Sequence, residues 1–458
     1  MSLIHIALTG TQAAQAGLNA TSQNIANVAT PGYTRQSPLF VSVQTAGGAR
    51  SAAAGVAVPA LIRFSDAYQS QQLWRAGSDL GQHASSQPYL TQLEQVMGDD
   101  TSSISDGLDG FLRALNAATV EPTSTPLRQQ VLTAANALGQ RFNALSEVLA
   151  NQLTSIHQQR AATVEQVNAL ASDVAILNSR IAAAQAVGAQ DSSLLDARDR
   201  KIDALADLVG LQVVDQPDGT RDVSMRSGQP LVIGAVPAKL AIQVNPNGSQ
   251  TVNLAFARES FVVPSIGLGG QLGGLEDTED AVIVPLRQDL ADIAGHIATQ
   301  VNGLLASGFD LNGAPGGALF AFNPGSTTGI LTLAPGVTAT GLGFSSNATD
   351  PGNSDRLLAL VDMGNQPVTV SSLGTVLLGD ADTQLLGKLG TASQQNQAAQ
   401  ATAQTVRDQA EENWKSTSGV NSDEEAVNLV QYQQMYQANM KVISVANTLF
   451  DATLQMVG

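Results

Sequence analysis

Cysteine is absent from the 458 residues, so the chain can build neither a disulfide framework nor a thiolate metal site. Aromatic residues make up only 4%. That scarcity argues against a large buried small-molecule pocket, which draws on rings for its walls. Charged residues are 13% of the chain, against a usual share of about 25%. The net charge of −17 argues against partners recognised through phosphate neutralisation, so no nucleic acid is expected. Long apolar runs are missing too. Ala52–Ile62 is the longest near-apolar stretch, and it is broken by Gly55 and Pro59, so no membrane insertion is expected. A cleavable signal peptide is not expected either, because the first basic residue is Arg35 and polar residues interrupt any apolar core before it. GxSxG, HExxH and P-loop patterns do not occur.

The remaining candidates for chemistry are weak. His5, His83, His157 and His296 are scattered and read as surface or packing histidines. Asp310, Asn312 and Gly313 form part of a calcium-loop pattern without its full spacing, and a solvated turn is the expectation. "GLGGQLGG", from Gly267 to Gly274, lacks the dinucleotide spacing and reads as a hinge. "DARDRKID", from Asp196, reads as a solvated helix face. No catalytic, cofactor-binding or metal-ligating residue is therefore expected, and the chain is not expected to be an enzyme.

What is present is helical periodicity at the two ends. Leu3, Ala7, Ala14, Leu18, Ile25 and Val28 share one face of a helix whose opposite face is Gln, Asn, Thr and Ser. Residues 1–65 contain no Asp or Glu, so this helix has no ion-pair support and is marginal alone. Pro31 ends it, and Pro31-Gly32 fits the centre of a type II turn before Tyr33. At the other end, Asn421 and Glu424 suggest a capping box, with Asp423, Glu424 and Glu425 at the positive end of the helix dipole. Ala426, Leu429, Gln433, Tyr436, Met440, Ile443, Asn447, Phe450, Leu454 and Val457 then alternate by three and four, and Tyr432, Met435, Val442, Ala446, Leu449 and Met456 widen the face. A face this broad requires a partner. The simplest arrangement pairs the two ends in one coiled coil, repeated through an assembly.

Between the ends the chain is expected to be mainly α with a β insertion. Residues 1–60 form the N-terminal helix and an extended arm with β-like Leu39–Val43 and Gly55–Ile62. Residues 61–210 form a helical bundle or coiled coil, including a helix from Phe142 to Ala186, roughly 65 Å long, with a slip in its period near Gln159. From 211 to 269 the period falls to two around turns at Asp218-Gly219 and Asn247-Gly248, which marks an inserted outer β domain. A helix returns over 270–308, loops and short strands fill 309–380, a helix with a small-residue seam covers 381–418, and the C-terminal helix takes 419–458.

"NIANVATPGYTRQ", from Asn24, resembles the N-terminal signature of bacterial flagellar rod, hook and hook-associated proteins. "SGVNSDEEAVNLVQYQQMYQANMKVISVANTLFD", from Ser418, resembles their C-terminal signature. The "TRQ" after Tyr33, together with "VEPTSTPLRQQVL", "SLLDARDRKIDALADLVGLQV" and "GFDLNGAPGGALF", is similar to the hook-associated branch. The resemblance implies a structural subunit at the hook–filament junction, exported unfolded by the flagellar type III apparatus. Such a subunit self-associates in a ring, with hook protein on one side and the third hook-associated protein and the filament on the other. Terminal helices of this family are disordered in the free monomer and ordered in the axial core. The implied assembly interface is Leu3, Ala7, Ala14, Leu18, Asn24, Ile25, Asn27, Val28, Pro31, Gly32 and Tyr33 with Leu429, Tyr432, Tyr436, Met440, Ile443, Phe450 and Leu454. The exposed C-terminal seam is also a natural dock for a cytoplasmic export chaperone. The alternatives are another axial protein (the third hook-associated protein, hook protein or flagellin) or a secreted enzyme or adhesin acting through the β insertion.

Overall fold

The computed structural model describes residues 3–43, 55–188, 191–246, 248–265 and 267–457. Ala52 and Asn247 of the stretches named above, and the side chain of Val457, lie outside them. Among the described residues ten α-helices follow in chain order: α1 Leu3–Ala26, α2 Ala67–Met97, α3 Ile104–Ala118, α4 Thr125–Ala186, α5 Ser192–Leu208, α6 Gly270–Thr278, α7 Val284–Ala306, α8 Asp355–Val361, α9 Ala381–Ser418 and α10 Ser422–Val457. The strands are β1 Gln36–Pro38, β2 Val41–Ser42, β3 Val56–Ala57, β4 Leu61–Arg63, β5 Leu211–Asp215, β6 Arg221–Met225, β7 Pro230–Ile233, β8 Val236–Pro237, β9 Lys239–Val244, β10 Gln250–Phe256, β11 Glu259–Val262, β12 Phe320–Phe322, β13 Leu331–Leu333, β14 Pro367–Val370 and β15 Gly374–Leu377. The fold is mainly α with small β segments, as the periodicity predicts.

The chain divides into two units. Unit 1 holds Met1–Leu80, Val164–Gly270 and Thr402–Gly458, and unit 2 holds Gly81–Thr163 and Gln271–Ala401. Unit 2 has the larger apolar core. Phe111, Leu115, Leu138, Phe142, Leu149 and Ile156 of α3 and α4 are fully buried there with Ile293 and Ile297 of α7. Phe111 meets Phe320 edge-on at 5.8 Å between ring centres. Burying such side chains is worth about 1.5–3 kcal/mol each before entropy, so this core supports itself. Arg128 lies wholly inside it, stacked 4.4 Å from the Phe344 ring and donating to the carbonyl oxygens of Pro122, Ala339 and Leu342. Desolvation lowers its pKa to about 10. The "VEPTSTPLRQQVL" segment is thus a brace for the loops of 339–344.

In unit 1 the later part of α4 covers two sheets. One is a four-stranded meander, β5-β6-β7-β8, and the other is the three-stranded β11-β10-β9. Two asparagines of α4 hold strand backbones. Asn168 exchanges hydrogen bonds with both backbone groups of Leu240, and Asn178 does so with Arg221 while donating also to Gly234. Each closes an amide–backbone pair that would be costly to bury unmade.

Several expectations are revised. The long helix starts at Thr125, not Phe142, and at 62 residues is about 93 Å long. Its apparent slip is the place where Arg160 and Thr163 occupy buried seam positions that hydropathy does not flag. The arm does not end at residue 60, because β1 and β4 pair antiparallel with Gln36 opposite Arg63. Gly267–Gly274 is no slack hinge. Leu268 and Leu272 are buried, and a Cβ at Gly269 or Gly270 would collide with the backbone of Gly210 or of Leu208 and Val209. Asp310 is buried, and its carboxylate accepts from the backbone of Asn312 and Ala314, which makes it a loop brace and not a solvated turn.

Candidate assembly interface

α1 and α10 pair along most of their length. The pairing is antiparallel: Gly10 faces Asn439, Gly17 faces Tyr432, and Asn24 bonds Glu425. A Cβ at Gly17 would stand 2.7 Å from the Tyr432 ring. Small residues on α1 are therefore required where aromatic residues of α10 arrive. The buried face of α1 is Ala7, Thr11, Ala13, Ala14, Gly17, Ala20, Thr21 and Asn24. On α10, Leu429, Tyr432, Tyr436, Asn439, Ile443 and Ala446 are half-buried in a three-four alternation, with Asn428 half-buried beside Leu429.

The structure thus splits the expected stripe. Ala7 and Ala14 face α10, and Leu18 is half-buried. Leu3, Ile25 and Val28 are exposed. On α10, Leu429, Tyr432, Tyr436 and Ile443 point inward, while Met440, Phe450 and Leu454 are exposed. α1 turns small groups toward α10, which meets them with the half-buried Leu429, Tyr432, Tyr436 and Ile443, and both helices leave other large apolar groups uncovered.

Asn24 is the polar centre of the pair and is 1% exposed. Its Nδ2 donates to the Gln36 carbonyl at 2.9 Å and to Glu425 Oε1 at 3.1 Å. Its Oδ1 accepts from the Tyr33 hydroxyl at 2.9 Å and the Gln36 amide at 3.0 Å. All four bonds open to an asparagine amide are made. Burial raises the Tyr33 pKa, with Asp196 and Glu425 adding to the shift, so the phenol stays a donor. The turn that delivers Tyr33 closes through its amide to the Thr30 carbonyl at 3.2 Å. Gly32 sits at φ +70° in that turn, and a side chain there would also meet Arg200. Pro31 is exposed and Gly32 half-buried. Asn27 is half-buried and binds locally, donating to Gln23 and accepting from Thr30.

The arm beyond the turn has two anchors. Arg35 pairs with Glu424 at 2.6 Å and stacks 4.5 Å from the Phe64 ring. Only half of the expected capping box forms, because Asn421 accepts from Asp423 and Glu424 while the Glu424 carboxylate turns to Arg35. The second anchor lies in "DARDRKID", which is not a solvated face. Arg63 bonds Asp196 and Asp199 at 2.8 Å each and reaches the fully buried Thr34. Asp199 is also paired with Arg198 and Arg221. Burial pushes the Asp199 pKa up, but the three arginines outweigh it and hold the carboxyl below its ordinary value. Desolvation instead carries Asp196 above the usual range despite Arg63. Sequence reasoning missed this cluster because alternating charges on a helix are usually solvated.

These features define a class: a helical protein whose α1–α10 pair leaves an apolar surface exposed. Residues 90–320 match the family model for the flagellar hook-associated protein FlgK helical domain, and residues 416–456 match that for the flagellar basal body rod FlgEFG protein C-terminal region. The chain belongs to the flagellar hook-associated protein FlgK family. It is 26% identical to flagellar hook-associated protein 1 of Escherichia coli K12 and of Salmonella typhimurium, over 99% of this chain and 100% of each relative. The solved flagellar hook junction protein FlgK from Burkholderia pseudomallei shares the fold, with a TM-score of 0.66 at 18% identity, over 76% of this chain and all of that one.

Proposed function

We propose that the chain is a structural subunit of the bacterial flagellum that joins hook to filament, and not an enzyme. The observation that carries this is the α1–α10 pair. α1 buries Ala, Gly, Thr and Asn against the half-buried Leu429, Tyr432, Tyr436 and Ile443 of α10, and the pair leaves Leu3, Ile25, Met440, Phe450 and Leu454 exposed. Such a surface is stable in water only when covered. Copies of the chain cover it for one another in a ring, with hook protein on one side and the third hook-associated protein and filament on the other. Before assembly the ends are unfolded, which suits export through the flagellar type III apparatus, and a cytoplasmic chaperone shields the α10 seam. The chain then resides outside the cell, in the appendage.

A strain lacking the chain is expected to keep its hooks and lose attached filaments. Full filaments on the hooks of that strain would overturn the proposal. Removing residues 423–458 is expected to abolish chaperone capture, and unchanged capture would refute that part of it.

A further inference from the structure

Both tryptophans of the chain, Trp74 and Trp414, line one cleft of about 470 Å³ in unit 1. Its other apolar walls are Val28, Leu73 and Val420. The charged groups around it are mostly engaged with one another. Arg407 grips Asp203 through two bonds of 2.9 and 2.8 Å, and Lys415 pairs with Glu411 at 2.5 Å. A small polar ligand would find little to bind, whereas an apolar side chain would find aromatic walls. Arg200 is the exception. It is exposed at the mouth, donates over 3.4 Å to the Pro31 carbonyl, and has no carboxylate partner among the described residues.

The α1–α10 register supplies the complementary piece. Gly10 opposite Asn439 and Gly17 opposite Tyr432 place Leu3 opposite Ala446. Half-burial along α10 stops at Ala446. Residues 447–456 therefore run about 15 Å beyond the described part of α1. This overhang exposes Leu449, Phe450, Leu454 and Met456 and carries one charge, Asp451. Cleft and overhang sit at opposite ends of the helix pair, about 40 Å apart along α10, so a folded chain cannot fill its own cleft.

We infer that the α10 overhang of one copy seats Phe450 and Leu454 in the two-tryptophan cleft of a second copy, with Asp451 meeting Arg200. The contact rests on the self-association proposed above and is heterologous, joining different surfaces of the two copies. A heterologous contact closes into a ring or continues as a helix according to its rotation. Asp451 on the plug and Arg200 at the mouth set the orientation.

The absence of native cysteine makes the test direct. Ala29→Cys, at the cleft rim, and Leu454→Cys are placed in separate full-length copies, then oxidised as a concentrated mixture and in appendages from cells making both. Cross-linked dimers are expected in the mixture and not from either variant alone. Asp451→Arg or Arg200→Glu should lower the yield about tenfold, and the double reversal should restore it. The inference is overturned if the mixture gives no excess of dimer, if the reversals change nothing, or if Cys at position 454 is captured by a different protein. Sedimentation of the unmodified chain separates the two levels. Association without the cross-link defeats this contact alone, and no association at any concentration, with no chain in the appendage, defeats the underlying proposal too.

Discussion

The terminal helix pair and the core of unit 2 are both helical, yet they are built differently. In unit 2, Phe111, Leu138, Phe142 and Ile156 are fully buried, and one buried polar side chain, Arg128, is held by three carbonyls and a ring. In the α1–α10 pair the α1 side of the interior is Ala7, Ala14, Gly17 and Asn24, the large residues of α10 that meet it are only half-buried, and Leu3, Ile25, Met440, Phe450 and Leu454 look outward. Small interior residues bury little area, so the pair gains little from closing alone. The lesson is that helix content says nothing about self-sufficiency. How completely the large residues are covered decides it.

The largest expected contrast is between two phenylalanines. Phe142→Ala should cost about 3–5 kcal/mol in urea unfolding of the full chain, through the cavity it leaves. Phe450→Ala should leave that unfolding within about 0.5 kcal/mol of the parent, as an exposed site does, while weakening assembly. Equal losses for the two would break the comparison. Next comes Arg63→Met. It strands the buried Asp196 and removes one partner of Asp199, at an expected cost of about 3 kcal/mol in the same measurement, with the arm losing protection from proteolysis. Asn24→Ala leaves Glu425 and Gln36 short of partners. It should cost about 1–3 kcal/mol in disassembly of the polymer and almost nothing in the dilute monomer.

The smallest effect is a pH dependence inside unit 2. Burial raises the Glu276 pKa, Arg160 opposes, and Asp280, Glu279 and Asp277 add to the rise. A group raised in the folded state takes up its proton before the unfolded chain does. Its stabilising contribution is therefore complete below the ordinary glutamate value and lost as pH climbs through the folded pKa. Relative to Glu276→Gln, the parent should gain thermal stability as pH falls from 7 towards about 4.5. A difference between the two that does not vary with pH would contradict that sign.

Legibility in the sequence followed physical kind. The Thr30–Tyr33 turn could be read because proline and a positive-φ glycine leave few alternatives. The α10 seam could be read because large residues mark its period. The inward face of α1 could not, because Ala, Gly and Thr give weak hydropathy, and Leu3, Ile25 and Val28 drew attention to the side that faces solvent. Helix α2 was hidden by its polar composition and by Pro88 within it. The Arg63–Asp196–Asp199 cluster was hidden because its members come from segments more than a hundred residues apart, and no local pattern announces a buried ion pair.

Hydrogen exchange on the dilute full-length chain, residue by residue, tests the central claim most directly. The account predicts that amides of α1 and α10 exchange near unfolded rates while those of α4 and α7 stay protected. Protection of α1 and α10 equal to that of α4 in the free chain would contradict it.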